Sequence, residues 1–448
     1  MDRRLFLKGA ALAGAGVGLG HLPGVAVSQF AGTASLPGYR ALVCVFLFGG
    51  NDSYNMVVPR SAAEYDVYAR SRQNLAIPRD QLLPIAALNP DGAQYGLHPA
   101  MAGVQALFER GRAAVVANVG PLVQPVTRAA YLNGSVALPP QLFSHNDQQD
   151  QWQTLKGRAV VKTGWAGRVA DALQASAADG KVPINVSLAG TVAQQVGERT
   201  VPYSMGRTNA PEFTGRTTAN AVTTGRKNAF ESLLDGAGAG IHGRAFASVE
   251  RRAIATAAGV NAALAKAPTL ATAFPASGLG AQLQMVARLI AVRADLAVSR
   301  QVFFVSAGGF DTHDDQVDDQ PVLLGDVSAS LQAFHDALVE LNVVDDVVAF
   351  TQSDFGRTLT SNGDGTDHGW GGHQLLVGGR VLGQRIYGTM PRLEIGGADD
   401  AGGGRIIPTT AVDQYVATLV RWLGVDEARL DAIAPNLKNF PVRTLDFV

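Results

Sequence analysis

Gln301-Val-Phe-Phe-Val-Ser306 runs into Ala307-Gly-Gly-Phe-Asp311-Thr-His313, and further along Asp346-Val-Val-Ala-Phe-Thr351 runs into Gln352-Ser-Asp354-Phe-Gly-Arg357. Each stretch is a short apolar run that ends in a carboxylate. Continuous apolar runs of this length suit strands buried on both faces of a parallel sheet. The carboxyl edge of such a sheet is where ligands gather. An earlier run, Ala41-Leu-Val-Cys44-Val-Phe-Leu-Phe48, breaks the same way into Gly49-Gly-Asn-Asp52-Ser53. Behind them comes Gly363-Asp-Gly-Thr-Asp367-His368-Gly-Trp-Gly-Gly-His373, which reads as a glycine-dense loop able to bring two imidazoles and a carboxylate over those strand ends.

Around these runs, helical spacing predicts helices over 61–72, 100–112, 164–174, 246–265, 282–298, 321–342 and 411–423. Shorter apolar runs predict strands at 113–119, 183–188, 374–379 and 385–387. The alternation is that of an α/β protein with a mostly parallel central sheet and helices on both faces, three layers in all. Residues 84–96 read as a polar turn region, and 131–154 as a polar stretch with little periodicity. Residues 190–280 shift to Thr, Ala, Gly and Asn, and read as an insertion lying over the sheet edge like a cap.

Bulk composition excludes several classes. With 37 basic and 38 acidic side chains in 448 residues, the net charge of −1 gives no footprint for nucleic acid. The one cysteine, Cys44, rules out an internal disulfide and a multi-cysteine metal site, and its place inside an apolar strand reads as packing. Met1-Asp-Arg3-Arg4-Leu-Phe-Leu-Lys8 followed by a short Gly, Ala, Val and Leu stretch has the form of an export signal, and its paired arginines resemble the twin-arginine type. This reading makes 1–35 signal and linker and 36–448 the mature α/β domain, without a stable membrane span and located in the periplasm or outside the cell. The export machinery would be its first partner.

Asp52, Asp311, His313, Asp354, His368 and His373 make a mixed oxygen and nitrogen donor set suited to one or two divalent ions, zinc or manganese foremost. Asp367 beside His368 reads as a carboxylate that orients the ring. Ser144 is the candidate nucleophile, with Ser53 or water as alternatives, because a serine must be activated and a metal ion can do this. Ser144-His145 also reads as a simple turn or helix cap. Arg357 is placed to neutralise an anionic substrate oxygen, or else to pair within the fold. His98 and His335 read as structural.

Together, Arg-Arg-x-Phe-Leu-Lys at the start, Gly-Gly-Asn-Asp-Ser-Tyr-Asn, Ser-His-Asn-Asp-Gln-Gln, Gly-Gly-Phe-Asp-Thr-His, Ser-Asp-Phe-Gly-Arg-Thr and Asp-His-Gly-Trp-Gly-Gly-His resemble the secreted bacterial proteins grouped as domain of unknown function 1501. That group is placed within the alkaline phosphatase and sulfatase superfamily. The resemblance implies an alkaline phosphatase-like fold and an ordered ligand set, followed here by Asp52, Ser144, Asp311 with His313, Asp354 and His368. Two positions depart from the pattern. Asp315 stands where a histidine is usual, and Phe355 replaces the histidine of an Asp-His pair, so that either the second ion site is oxygen-rich or a single ion binds. The sulfatase Cys-x-Pro-x-Arg signature is absent, since Cys44 is followed by Val-Phe-Leu. The expected function is an exported metal-dependent hydrolase of a phosphate- or sulfate-type ester, acting on a small molecule or a polymer. The alternative is a secreted binding or assembly protein that keeps the fold without catalysis.

Overall fold

The apolar run at Arg40–Leu47 becomes the central strand of a nine-stranded sheet. The structure, a computed structural model, describes residues 36–159, 161–174, 182–211, 220–236 and 240–448. In chain order the strands are β1 (Arg40–Leu47), β2 (Val57–Pro59), β3 (Leu83–Ile85), β4 (Tyr95–Leu97), β5 (Ala113–Gly120), β6 (Asn185–Ser187), β7 (Tyr203–Ser204), β8 (Arg300–Ala307), β9 (Val347–Ser353), β10 (Arg357–Ser361), β11 (Thr366–His368), β12 (Gly372–Gly378), β13 (Ile386–Tyr387) and β14 (Thr410–Ala411).

The large sheet is ordered β13-β5-β12-β9-β1-β8-β6-β7, with β14 beside β5. All its pairings are parallel except those of β12, which runs against both β9 and β5. This is the expected mostly parallel α/β architecture.

Alternate side chains of β1 feed two separate cores, as the period of two in a strand requires. Ala41, Val43, Val45 and Leu47 pack with the helices Ala102–Glu109, Gly278–Ala291 and Gln316–Glu340. Leu42, Cys44 and Phe46 pack on the opposite face with Trp152 and the helices Trp165–Leu173 and Val412–Leu423. Cys44 is fully buried, its thiol pushed well up by burial, and it serves as packing. Each large aliphatic side chain enclosed in this way is worth about 1.5–3 kcal/mol. The sheet is therefore held from both sides.

Several expectations change in detail. Residues 145–154 form a helix, His145–Thr154, where sequence periodicity gave none. Its buried face is made of Gln148, Gln151, Gln153 and Trp152, so the apolar stripe that marks a helix is missing. Gln148 instead donates to Gly369 O (3.2 Å) and Gln151 to Gly157 O (2.9 Å). The polar region 84–96 contributes to β3 and β4, and β4 pairs with both β2 and β3 in a small antiparallel sheet. The glycine-dense loop holds β11 and the start of β12. The helix expected from 321 begins at Gln316 and carries Pro321 inside it.

Residues 190–280 contain the helices Ala221–Gly236 and Ile241–Leu264. Val260, Ala263 and Leu264 of the second pack into the first of the two cores. The signal expected over 1–35 lies outside the described residues.

Candidate metal centre

The strand order explains why distant acids meet. β1 lies between β8 and β9, and Leu47 stands opposite both Ala307 and Ser353. The three chains therefore leave the sheet side by side. Phe310 N donates to Phe48 O (3.1 Å) and Gly49 N to Asp354 Oδ2 (3.1 Å), which stitches the three exits together. Gly49 has φ 117°, and a Cβ there would lie 2.3 Å from Asp311 N, so only glycine allows this approach. The hairpin β10–β11 then folds back with Arg357 paired to His368.

Asp311 sits at the centre, its side chain 45% exposed. Around it three imidazoles share one arrangement. His145 contacts Asp354 Oδ2 through Nδ1 (2.7 Å) and brings Nε2 to 3.3 Å from Asp311 Oδ2. His368 donates from Nδ1 to Phe143 O (2.8 Å), and its Nε2 lies 3.4 Å from Asp311 Oδ1. His313 leans its Nδ1 on Asp367 Oδ1 (3.3 Å), with Nε2 at 3.1 Å from Asp311 Oδ1 and 2.9 Å from His368 Nε2. Every outer nitrogen is anchored and every inner one turns toward the same carboxylate. Metal-binding histidines are held in this way, because the anchor fixes tautomer and ring plane.

The donor set fits a divalent ion. Ligand atoms about 2.1 Å from a tetrahedral ion lie about 3.4 Å from each other. The His145–Asp311 and His368–Asp311 separations, 3.3 and 3.4 Å, match that edge. Ligand atoms of His145, Asp311 and His368 all lie within 4.8 Å of one another, close enough to share one ion. Asp354 Oδ1 and His145 Nε2 are buried without a hydrogen-bond partner. Buried polar atoms left in this state call for a further group.

Electrostatics favour the same use. Burial pulls the His368 pKa down, further than its bond to Phe143 raises it, leaving a neutral ring with its lone pair on Nε2. Burial pushes the Asp311 carboxyl up, but the hydrogen bond and charge of Arg357, with His145 and His313, outweigh this and hold it below the usual range.

The other expected residues are distributed as follows. Asp354 is fully buried, and its Oδ2 accepts from Gly49 N, Gln149 Nε2 (2.9 Å) and His145, so it orients His145 at the rim of the centre. Asp52 is brought to the same sheet edge but stands outside the centre, its Oδ2 bound by Arg72 and Gln316 in a sealed pocket. His373 lies fully buried in β12, where its Nδ1 accepts from Asn118 N (3.1 Å) and burial pulls its pKa down to about 3.

Arg357 is fully buried and gives its donors to Gly49 O (3.0 Å), Asp311 Oδ1 (2.6 Å) and Thr366, so it positions Asp311. Ser144 precedes the helix His145–Thr154 and donates from Oγ to Asp147 Oδ2 (2.7 Å). Ser53 is buried, its Oγ accepting from His373 N (2.7 Å). His145 is the residue that sequence reasoning left out of the donor set. Its signal was the Ser-His-Asn-Asp run, where Ser144-His145 reads as a simple turn or helix cap.

Among solved structures, the chain is similar to the lipoteichoic acid synthase LtaP from Listeria monocytogenes, at 9% identity and TM-score 0.35, covering 87% of this chain and 72% of that one. It is similar to the PsFucS1 sulfatase from Pseudoalteromonas sp. at 10% identity and TM-score 0.31, covering 91% and 71%. Similarity to Thermus thermophilus alkaline phosphatase is at 12% identity and TM-score 0.27, covering 75% and 64%. Likeness this distant carries no functional weight, and the fold rests on strand order and register. No curated protein matches the sequence. Over residues 39–432 the chain matches, and so belongs to, the family described as "Protein of unknown function (DUF1501)".

Proposed function

We propose that this chain is an exported metal-dependent hydrolase of a phosphate- or sulfate-type ester. The observation that carries the reading is the common aim of His145, His313 and His368, each anchored at Nδ1 and turned by Nε2 toward Asp311. His145, Asp311 and His368 would hold the ion, with His313 beside them and Asp354 orienting His145. A bound zinc or manganese ion would supply Lewis-acid charge against an oxyanion that develops on the ester.

The chain's own groups have separate tasks. Arg357 keeps Asp311 ionised and fixed in place. His313, with its side chain 36% exposed, is the imidazole nearest solvent and is suited to holding or passing a proton. Ser144 Oγ hands its proton toward Asp147, the arrangement a serine needs to act as nucleophile, with water as the alternative. That same bond favours the second reading, a non-catalytic binding protein, because it also serves as a simple helix cap. Export by the twin-arginine route rests on Arg3 and Arg4. Among the described residues, no helix is long and apolar enough to cross a membrane.

The test is elemental analysis of the full chain purified after export, followed by titration with zinc or manganese and assays on aryl phosphates, phosphodiesters and sulfates. One ion per chain, lost together with turnover in Asp311→Asn, is the expected result. An ion bound without turnover of any of these esters selects the binding protein. A chain that takes up neither metal overturns both the centre and the hydrolase.

A further inference from the structure

A cavity of about 390 Å³ opens beside the start of the helix Gln316–Glu340, within the size range of small-molecule sites. Its wall is formed by the segment after the helix Ala62–Arg72, by His98 to Ala100 and by the first turns of the helix Gln316–Glu340. No charged side chain lines it; its polar groups are carboxamides and one imidazole.

That imidazole, His98, is 5% exposed and follows directly on β4. Its Nδ1 accepts from Ala100 N (3.1 Å), which puts the proton of the neutral ring on Nε2. Nε2 has no hydrogen-bond partner among the described residues and is not sealed from solvent, and the ring lines the cavity. Burial pulls the His98 pKa to about 4, so the ring stays a neutral donor at ordinary pH. An acceptor on a ligand would take the place of the water this donor otherwise meets.

The floor is already fixed. Gln316 and Gln320 are tied to Asp52, and Gln316 also accepts from Thr366 Oγ1 (2.7 Å), so neither must reorganise when a ligand enters. Leu75, Ile77 and Pro321 add apolar surface beside these amides. An anion would find no cation in the wall and the Asp52 carboxylate behind the floor. The His98 donor and uncharged amides beside apolar patches suit a ring that has hydroxyls on its edge and C–H groups on its face.

We propose that this cavity binds a neutral sugar residue, with His98 Nε2 donating to one of its oxygens. Asn74 in the cavity wall donates to Gly363 O (3.0 Å), which ties that wall to the turn of the hairpin that carries Arg357 and His368. A neutral part of a larger substrate would be held there, yet the site requires no metal.

The test is saturation-transfer NMR on the full chain with glucose, galactose and N-acetylglucosamine as probes. At least one is expected to bind, to weaken at least about tenfold in His98→Phe, and to be lost in Val317→Trp, which fills the mouth from a position 59% exposed. Val317→Trp should melt as the wild type does and take up the same amount of zinc. Failure of all three probes, binding that survives Val317→Trp, or displacement of the sugar by glucuronate in that cavity would overturn the proposal. Zinc uptake is read separately, so loss of the metal centre and loss of the sugar site are distinguishable.

Discussion

Two neighbouring strands, β1 and β8, each lead to an aspartate paired with an arginine, and the two pairs serve opposite ends. Asp52 with Arg72 is closed over, both side chains at 1% exposure or less, and ringed by Asn55, Gln316 and Gln320. Asp311 with Arg357 has its carboxylate 45% exposed and faces three imidazoles. An aspartate at a strand end is thus only a starting material. What the rest of the fold lays over it decides whether it becomes an ion pair of the scaffold or the centre of a site.

The two histidines of the glycine-dense segment divide in the same way. His373 is sealed beside Tyr54, while His368 is partly open beside Asp311.

The sharpest test is to break the sealed pair. Asp52→Ala leaves the Arg72 charge buried and uncompensated, and should cost about 3–5 kcal/mol in denaturant unfolding. The fraction still folded should bind zinc as the wild type does. If zinc is lost while stability is kept, the roles of the two aspartates are reversed.

Acid should attack the sealed histidine next. The His373 pKa is about 3 folded against 6.5 in its ordinary state, so the folded chain binds fewer protons. Its contribution is present above pH 6.5 and is lost as pH falls toward 3. The full effect is on the order of 5 kcal/mol, by the usual 1.36 kcal/mol per unit. His373→Gln should flatten this limb of a stability–pH curve measured in urea.

At the open pair, the expected loss is of binding. His145→Ala should reduce zinc affinity at least about 100-fold in calorimetric titration, with little change in melting of the metal-free chain. Smaller still, Asp354→Asn keeps the shape but weakens the anchor on His145 Nδ1, and should cost about tenfold in zinc affinity. An equal loss in both variants would place Asp354 among the ligands instead of behind one.

Much of this was legible in the chain. The runs ending at Asp52, Asp311 and Asp354 announced strands whose exits meet, because a buried parallel strand has to be apolar throughout. His368 and Asp311 were identifiable from that placement. His145 was not, since the helix it opens buries glutamines where a core helix buries leucines, and without an apolar stripe the turn-or-cap reading of Ser144-His145 gave no direction for its first residue. The sealing of Asp52 was hidden for another reason. Its partners Arg72 and Gln316 belong to other elements, and pairing across elements leaves no local pattern. The strands β2, β3 and β4 have only three residues each, too short for alternation to stand out.

The pairing of Arg357 with His368 across β10 and β11 has one more consequence. Side chains alternate along a strand, so a slip of one residue in that hairpin would turn His368 away from Asp311 and leave the cluster one donor short. The ion proposed here would then be taken up only by chains whose hairpin has closed in the correct alignment.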